Sequence, residues 1–496
     1  MLVVVICGVF VCLVLQWYTK YRRLVKAMEC FPGAPTIPLI GNALDFKSGT
    51  DFIPRLAEYR KLYGDVIKVY IGIKPAIVVI SDIKLIEQIL KSTKNLDKGS
   101  EYGFLSRWLG NGLLISKGDF RWKTHRKLIG PSFNMLKLEQ FIEIFDSNTY
   151  ALVNKLKKEI GKPYFDVFNY ISLCALDIIY EAAMGTSIQA QDNANSDYFA
   201  AVKTMCHTIV IRAFNPLLKN DYLYFLSSQF QKEKRAVKIL HQHTNKLIER
   251  KKKEREFDVV KNIDETIGKR RTTFLDLLLE HNANGQIWTD AEMREEVDTF
   301  VFAGHDTTAV AVTFAILCLA ENPEVQGKVI KELDEILGKD KDKNITLQNI
   351  QSMTYLDAVI KEVLRLYPPV PYYLRRVTEA FEFEGRVIPE GITLLINIYG
   401  IHHHPHLYHD PERCVPERFL NKDNENIPKY GYLPFSYGLR NCIGQKFAVL
   451  EMKTILSILL RHYEFLTTVP RHEVVLSAQT VLTSHNGVRV RVVERN

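Results

Sequence analysis

A mainly α-helical fold with a smaller β region is what this 496-residue sequence predicts, and three observations lead to it. Apolar residues at helical spacing dominate the chain from the end of an early hairpin to about residue 375. A capped run from Thr289 to Asn322-Pro323 is long enough to form a helix of about 46 Å at 1.5 Å per residue, which has to cross the centre of a globular domain. Runs rich in β-branched residues are short and lie near the two ends.

The bulk numbers narrow the class. A 47% hydrophobic and 25% charged composition is that of a globular protein with a sizeable core. Gly/Ser-rich linkers and repeats are absent, so one large domain is expected. The net charge of +8 is spread along the chain without a nucleic-acid motif, which points to an anionic membrane surface or an acidic protein partner and not to nucleic acid. Eight cysteines, at 7, 12, 30, 174, 206, 318, 414 and 442, make no disulfide framework.

In chain order, residues 1–19 read as a transmembrane signal anchor. Met1 to Gln16 are almost wholly apolar, Trp17 and Tyr18 follow as an interfacial pair, and together they reach the lower limit of about 17 residues for a span. No basic segment precedes the run and no small-x-small cleavage site follows it, which argues against a cleaved signal. Lys20, Arg22, Arg23 and Lys26 come next and orient a single-pass protein with its body in the cytosol. Residues 20–38 are a connector, because Phe31 to Pro38 holds too many prolines for a helix or central strand. Residues 39–496 form the catalytic domain. Within it, Asp65 to Gly72 and Ala76 to Ser81 read as a hairpin around Ile73-Lys74-Pro75. Thr208 to Ser228 is apolar and aromatic, and the basic run Gln231 to Lys253 follows, as a core helix and then a solvated one. Thr289-Asp290-Ala291-Glu292 is a capping box. Val474 to Val493 alternates around His485-Asn486-Gly487, a type I′ hairpin signal.

The chemistry centres on Pro434 to Ala448. One cysteine, Cys442, sits among glycines with an arginine two residues before it and a helical run, Phe447 to Leu460, directly after. Unsatisfied N–H groups at a helix N-terminus favour an anionic sulfur and are expected to lower its pKa. A lone cysteine cannot build a four-ligand zinc site, whereas one soft anionic ligand suits a haem iron.

Phe435, Gly438, Arg440, Cys442 and Gly444 stand at the spacing F-x-x-G-x-R-x-C-x-G, which resembles the haem loop of the cytochrome P450 monooxygenases. That resemblance implies a tight turn at Gly438, close approach of the next helix to the porphyrin at Gly444, a shield for the sulfur at Phe435 and a haem propionate contact from Arg440. Other motifs resemble the same family. Trp122 and Arg126, four apart on a helix face, match W-x-x-x-R, which binds a propionate. Ala303-Gly304-His305-Asp306-Thr307-Thr308 matches the oxygen-activation motif, in which Gly304 opens space beside the iron, Thr307 hydrogen-bonds bound dioxygen and Asp306 relays protons; His305 reads as structural. Glu362, Arg365 and Arg418, from E-x-x-R and P-E-R-F, match the buried triad that supports the haem loop. Arg375 matches the arginine at the second propionate, with Arg376 beside it as the alternative. His402, His403, His404, His406 and His409 do not form a metal site by this reading, for want of acidic or cysteine partners at matching spacing.

The implied fold is the cytochrome P450 fold behind an N-terminal membrane anchor, holding non-covalent haem b. The implied reaction puts one oxygen atom of O2 into a C–H bond of a small apolar substrate. With no flavin or nicotinamide motif in the chain, electrons derive from NADPH through a separate NADPH-cytochrome P450 reductase, with cytochrome b5 as a second donor, at the endoplasmic reticulum membrane. The run Glu296 to Thr308 further resembles the signature of the fourth cytochrome P450 family, known for ω-hydroxylation of fatty acids and for oxidising hydrocarbons, pheromones and xenobiotics in insects. Many of its members carry Glu where this chain has Ala303. Three alternatives from other classes are a peroxide isomerase of the same fold, a non-catalytic haem-binding protein and a structural membrane protein without haem. Asp306 and Thr307 argue against the first.

Overall fold

The computed structural model of the chain describes residues 2–72, 75–193, 196–260, 273–283, 288–420 and 427–495. It is mainly helical with a smaller strand content, as the sequence predicts. The long central helix runs Asp290–Glu321 and begins with the predicted box: Thr289 Oγ1 accepts from Glu292 N–H, and the Glu292 side chain accepts from Thr289 N–H. It stops at Asn322, because Pro323 opens the next helix and disfavours helical backbone in the residue before it. From Ala309 to Ala320 every residue of it is buried, so it crosses the core.

Two of the neighbouring helices pack directly on this axis. Val167–Met184 lies along it and is closed by left-handed Gly185 (φ +70°). Gln445–His462 packs on it and also against Ile142–Leu156. Val167–Met184 and the central helix are long and apolar enough to cross a membrane, but each is 72% buried, which makes them core helices. Above them, Asp197–Phe214 and Ser228–Val260 pair as a roof.

A second core packs on a four-stranded sheet in the order Val66–Val69, Ile77–Ile80, Thr393–Ile396, Tyr373–Arg376. The first two strands are the predicted hairpin, in register Val66 with Ile80; Ile73 and Lys74 of its turn lie outside the described residues. The hairpin read at His485-Asn486-Gly487 is corrected. The hairpin is Leu476–Ala478 with Leu482–Ser484, turning at Gln479 to Val481, and the chain then passes to Arg489–Glu494, which pairs with Tyr463–Leu466 in another sheet. Asn486 imitates a hairpin turn by accepting from Val475 N–H and Ser484 Oγ–H while donating to Glu473 O.

The N-terminal helix is continuous from Leu2 to Ala27. The change from apolar to basic residues at 19/20 is therefore one of chemistry and not of backbone, and the connector's non-helical part starts after Ala27. Val5, Ile6, Val9, Val11 and Leu15 are all more than half exposed, whereas Met28 and Phe31 are buried against the sheet.

Candidate functional site

The cavity of about 440 Å³ between the central helix and the Cys442 loop brings the predicted motifs together. Cys442 lies on its wall, as do Ala303, Asp306, Thr307, Trp122, Arg126, Arg375, Phe435 and Arg440. The loop is tied by Cys442 N–H to Phe435 O at 2.9 Å and Asn441 N–H to Gly438 O at 3.1 Å. Gly438 has φ +76°, and a Cβ there would stand 2.2 Å from Leu90 O, so glycine is required twice over. An added Cβ at Gly444, which caps Gln445–His462, would meet no protein atom within 4 Å.

The expected lowering of the Cys442 pKa is corrected. Its side chain faces the cavity lumen and is otherwise enclosed by protein; that burial pushes the thiol up, and the Gly444 N–H and the Arg126 guanidinium offset it only in part. Binding a metal cation would supply what the helix terminus does not, since a coordinating thiol is deprotonated outright.

One end of the cavity is cationic. Arg126, Arg375, Arg440 and Lys98 gather there, and among the described residues no carboxylate lies within ion-pair distance of any of them. Arg440 donates to Leu113 O (3.2 Å) and Ser116 O (2.5 Å), and its guanidinium carbon lies 4.0 Å from the Trp122 ring centroid. Arg126 donates to Asn441 Oδ1. Burial, then Arg375, pull Arg440 down to about 9. Burial and the three arginines hold Lys98 well below its ordinary value. Arg375 Nη1, Arg440 Nε and Trp122 Nε1 are buried donors without a protein partner. Unpaired buried cations and donors are costly, so the end is built for anionic groups that are not part of the chain. Of the two neighbouring arginines, Arg375 is buried and lines the cavity, and Arg376 is exposed. Sequence reasoning missed Lys98, which joins the set through a bridge between its backbone and that of Arg375.

On the central helix, Ala303, Asp306 and Thr307 face the cavity, and Thr307 Oγ–H donates to Ala303 O at 2.7 Å. The expected role of Gly304 is corrected. Its open side faces Ile179 of Val167–Met184, whose side chain would lie 2.8 Å from an added Cβ. The glycine lets two core helices approach; it does not widen the cavity.

Glu362, Arg365 and Arg418 come together in the interior. Arg365 forks onto Glu362 with two bonds of 2.8 Å, both side chains fully buried, and Arg418 Nε lies 3.4 Å from Glu362 Oε1. Arg365 also donates to His402 O (2.9 Å), Pro411 O (2.6 Å) and Arg413 O (3.1 Å). His402 Nε2 in turn accepts from Leu433 N–H at 2.9 Å, immediately before the Cys442 loop. The histidine run thus ties the network to the loop, and the described residues hold no group of three or more metal-ligating side chains.

Burial pushes His402 and His403 down to about 3 from 6.5. Unfolded chain takes up protons at these positions between pH 6.5 and 3 that the fold refuses, so stability should fall as pH drops through that window and not above it. Denaturant unfolding at pH 7 and pH 4.5 should show the loss, and His402→Asn should reduce it.

This architecture, with one cysteine beside the cationic end of a largely apolar cavity, is that of a haem enzyme. A cytochrome P450 family model matches residues 31–488. The chain is 40% identical to human cytochrome P450 4V2, over 97% of this chain and 93% of that protein. It is 38% identical to cytochrome P450 4c21 of Blattella germanica (97% of each) and 35% identical to cytochrome P450 4c3 of Drosophila melanogaster (97% and 92%). The chain belongs to the cytochrome P450 family and is a P450 monooxygenase, a haem-dependent oxidoreductase.

Proposed function

We propose that this enzyme inserts one oxygen atom of O2 into a C–H bond of a small apolar molecule, of the fatty acid, hydrocarbon, terpenoid or xenobiotic kind. The observation that carries the reading is the cavity itself: apolar over most of its wall, with Cys442 at one side and Asp306 and Thr307 at another. The residues fit haem b. Cys442 would bind its iron, and the donors left open on Trp122, Arg375 and Arg440, with Arg126 and Lys98, would receive its propionates. Haem bound there supplies the dioxygen chemistry. The chain does the rest. Phe104, Ile209, Phe214 and Val481 enclose an apolar substrate and exclude water. The Thr307 hydroxyl, now returned to Ala303 O, is free to turn into the cavity, and the Asp306 carboxyl can hand a proton on beside it.

Electrons come from NADPH through a separate reductase, with cytochrome b5 as a second donor; the net charge of +8 suits acidic partners. Residues 1–19 anchor the protein as a single pass in the endoplasmic reticulum membrane, with residues 39–496 in the cytosol. Leu39 and Leu44, by the connector, and Leu217, Tyr222 and Leu226, after the roof helix, are strongly exposed. Phe52 and Phe214, in ring contact at 6.1 Å, line the cavity near these segments, and a bilayer against them would deliver apolar substrate.

Ala303 offers no nucleophile to a haem edge, so the haem should be held non-covalently and be released entirely by acid-organic extraction after turnover. The function is tested by product analysis with reductase, NADPH and a panel of fatty acids, terpenoids and insecticide-like molecules. Oxygenated products that require NADPH support the reading, and products formed equally well without NADPH would favour a peroxide isomerase. Thr307→Ala should keep consuming NADPH while product per NADPH falls about 10-fold or more and hydrogen peroxide rises; unchanged coupling would remove Thr307 from proton delivery.

A further inference from the structure

His305 read as structural in the sequence, yet its surroundings are not those of a packing residue. The ring is 2% exposed, between Val167–Met184 and Phe199 of Asp197–Phe214. Nε2 lies 2.9 Å from Ser172 Oγ. Nδ1 has no aligned hydrogen-bond partner, and Asp306 Oδ1 stands 3.4 Å from it. The other oxygen of that carboxylate accepts from Cys206 Sγ–H at 3.5 Å. Lys203 adds a positive field from the roof helix, and Thr480 reaches Cys206 from the hairpin turn. Asp306 itself is 13% exposed and opens on the cavity.

Coulomb's law selects the tautomer. A lone pair on Nδ1 would face the carboxylate and be repelled, whereas an N–H there is attracted, and this full charge outweighs the neutral Ser172 backbone carbonyl that also offers the ring an acceptor. With the proton on Nδ1, Nε2 is left as an acceptor, and the Ser172 hydroxyl donates to it. Burial holds His305 below its ordinary value, which keeps the ring neutral and limits it to one N–H. The order Ser172, His305, Asp306 is then directional, and a slight turn of either side chain aligns the last contact.

We propose that His305 is a positioning residue for the reaction: its Nδ1–H holds the Asp306 carboxylate at the cavity wall, and Ser172 fixes the tautomer that does so. The proposal rests on the reading of Asp306 as the group that hands on a proton. Asp306 takes that proton from solvent and returns to carboxylate, while His305 keeps its own single proton throughout.

Two polar variants of the full-length enzyme separate this role from packing. In His305→Asn the amide nitrogen can stand near the Nδ1 position and still donate to Asp306. In His305→Gln the amide reaches toward Ser172 instead. With reductase present, product per NADPH should fall about tenfold in His305→Gln, less than the ~10²-fold or more expected for loss of a proton-transferring group itself, and stay near wild type in His305→Asn. The resting enzyme gives an independent readout, the S–H stretching band of Cys206, identified by its loss in Cys206→Ala. Once Oδ1 loses its donor the carboxylate leans on the thiol, so the band should move to lower wavenumber in His305→Gln and return in His305→Asn. An unmoved band in His305→Gln, or equal impairment of both variants, overturns the proposal. Unchanged coupling in Asp306→Asn would instead overturn the reading of Asp306, and the thiol band would still decide the contact.

Discussion

Cys442→His should yield a protein without the red-shifted Soret band of a thiolate-ligated ferrous–CO complex, and with product formation reduced to background. The expectation follows from the cavity. Cys442 is the only cysteine on its described wall, and its sulfur faces the lumen. Imidazole is a neutral ligand and lacks the electron donation by which a thiolate favours O–O cleavage. Because burial raises the thiol in the free chain, ligation and deprotonation are coupled, and haem binding should release a proton. The remaining cysteines are the control. Serine at 174, 206, 318 or 414 should leave the band in place, and a thiolate-type band in Cys442→His would remove Cys442 as the ligand.

What the sequence revealed and what it concealed have physical causes. The central helix was legible because its start is a local device, the Thr289 capping box, and its end is a local prohibition, Pro323. The Cys442 loop was legible because a lone cysteine beside glycines and an arginine permits few other uses. Lys98 was not legible: it sits in no motif, and only the fold sets it beside Arg375 and Arg440. Gly304 was misjudged although helical periodicity held the answer, since a residue one step after Ala303 points about 100° away from it and so toward Val167–Met184. The turn at Asn486 was misplaced because its side-chain bonds are those of a hairpin turn, while the strand that follows chooses another partner sheet. The use of the histidine run as a tie to Leu433 appears only when His402 is seen in place.

Arg365→Ala should be the most damaging substitution away from the cavity, costing about 3–5 kcal/mol, the range for breaking a buried pair by removing one partner. Of a total stability of about 5–15 kcal/mol, that is a large part. Three losses add up. Among the described residues the Glu362 carboxylate keeps only Arg418 and the Val415 N–H in a fully buried site. The carbonyls of His402, Pro411 and Arg413 lose a shared donor. The His402 backbone is then free to shift, and with it the bond to Leu433 that sets the entry of the Cys442 loop. Arg365→Lys should recover little, since one ammonium cannot reproduce a fork that meets a carboxylate and three carbonyls at once. Haem content per protein and the thermal unfolding midpoint measure the effect together, and both should fall. Arg418→Ala should fall less, because its contact to Glu362 is the longer one at 3.4 Å. An Arg365→Ala protein with full haem content and an unchanged midpoint would show that the network does not hold the loop.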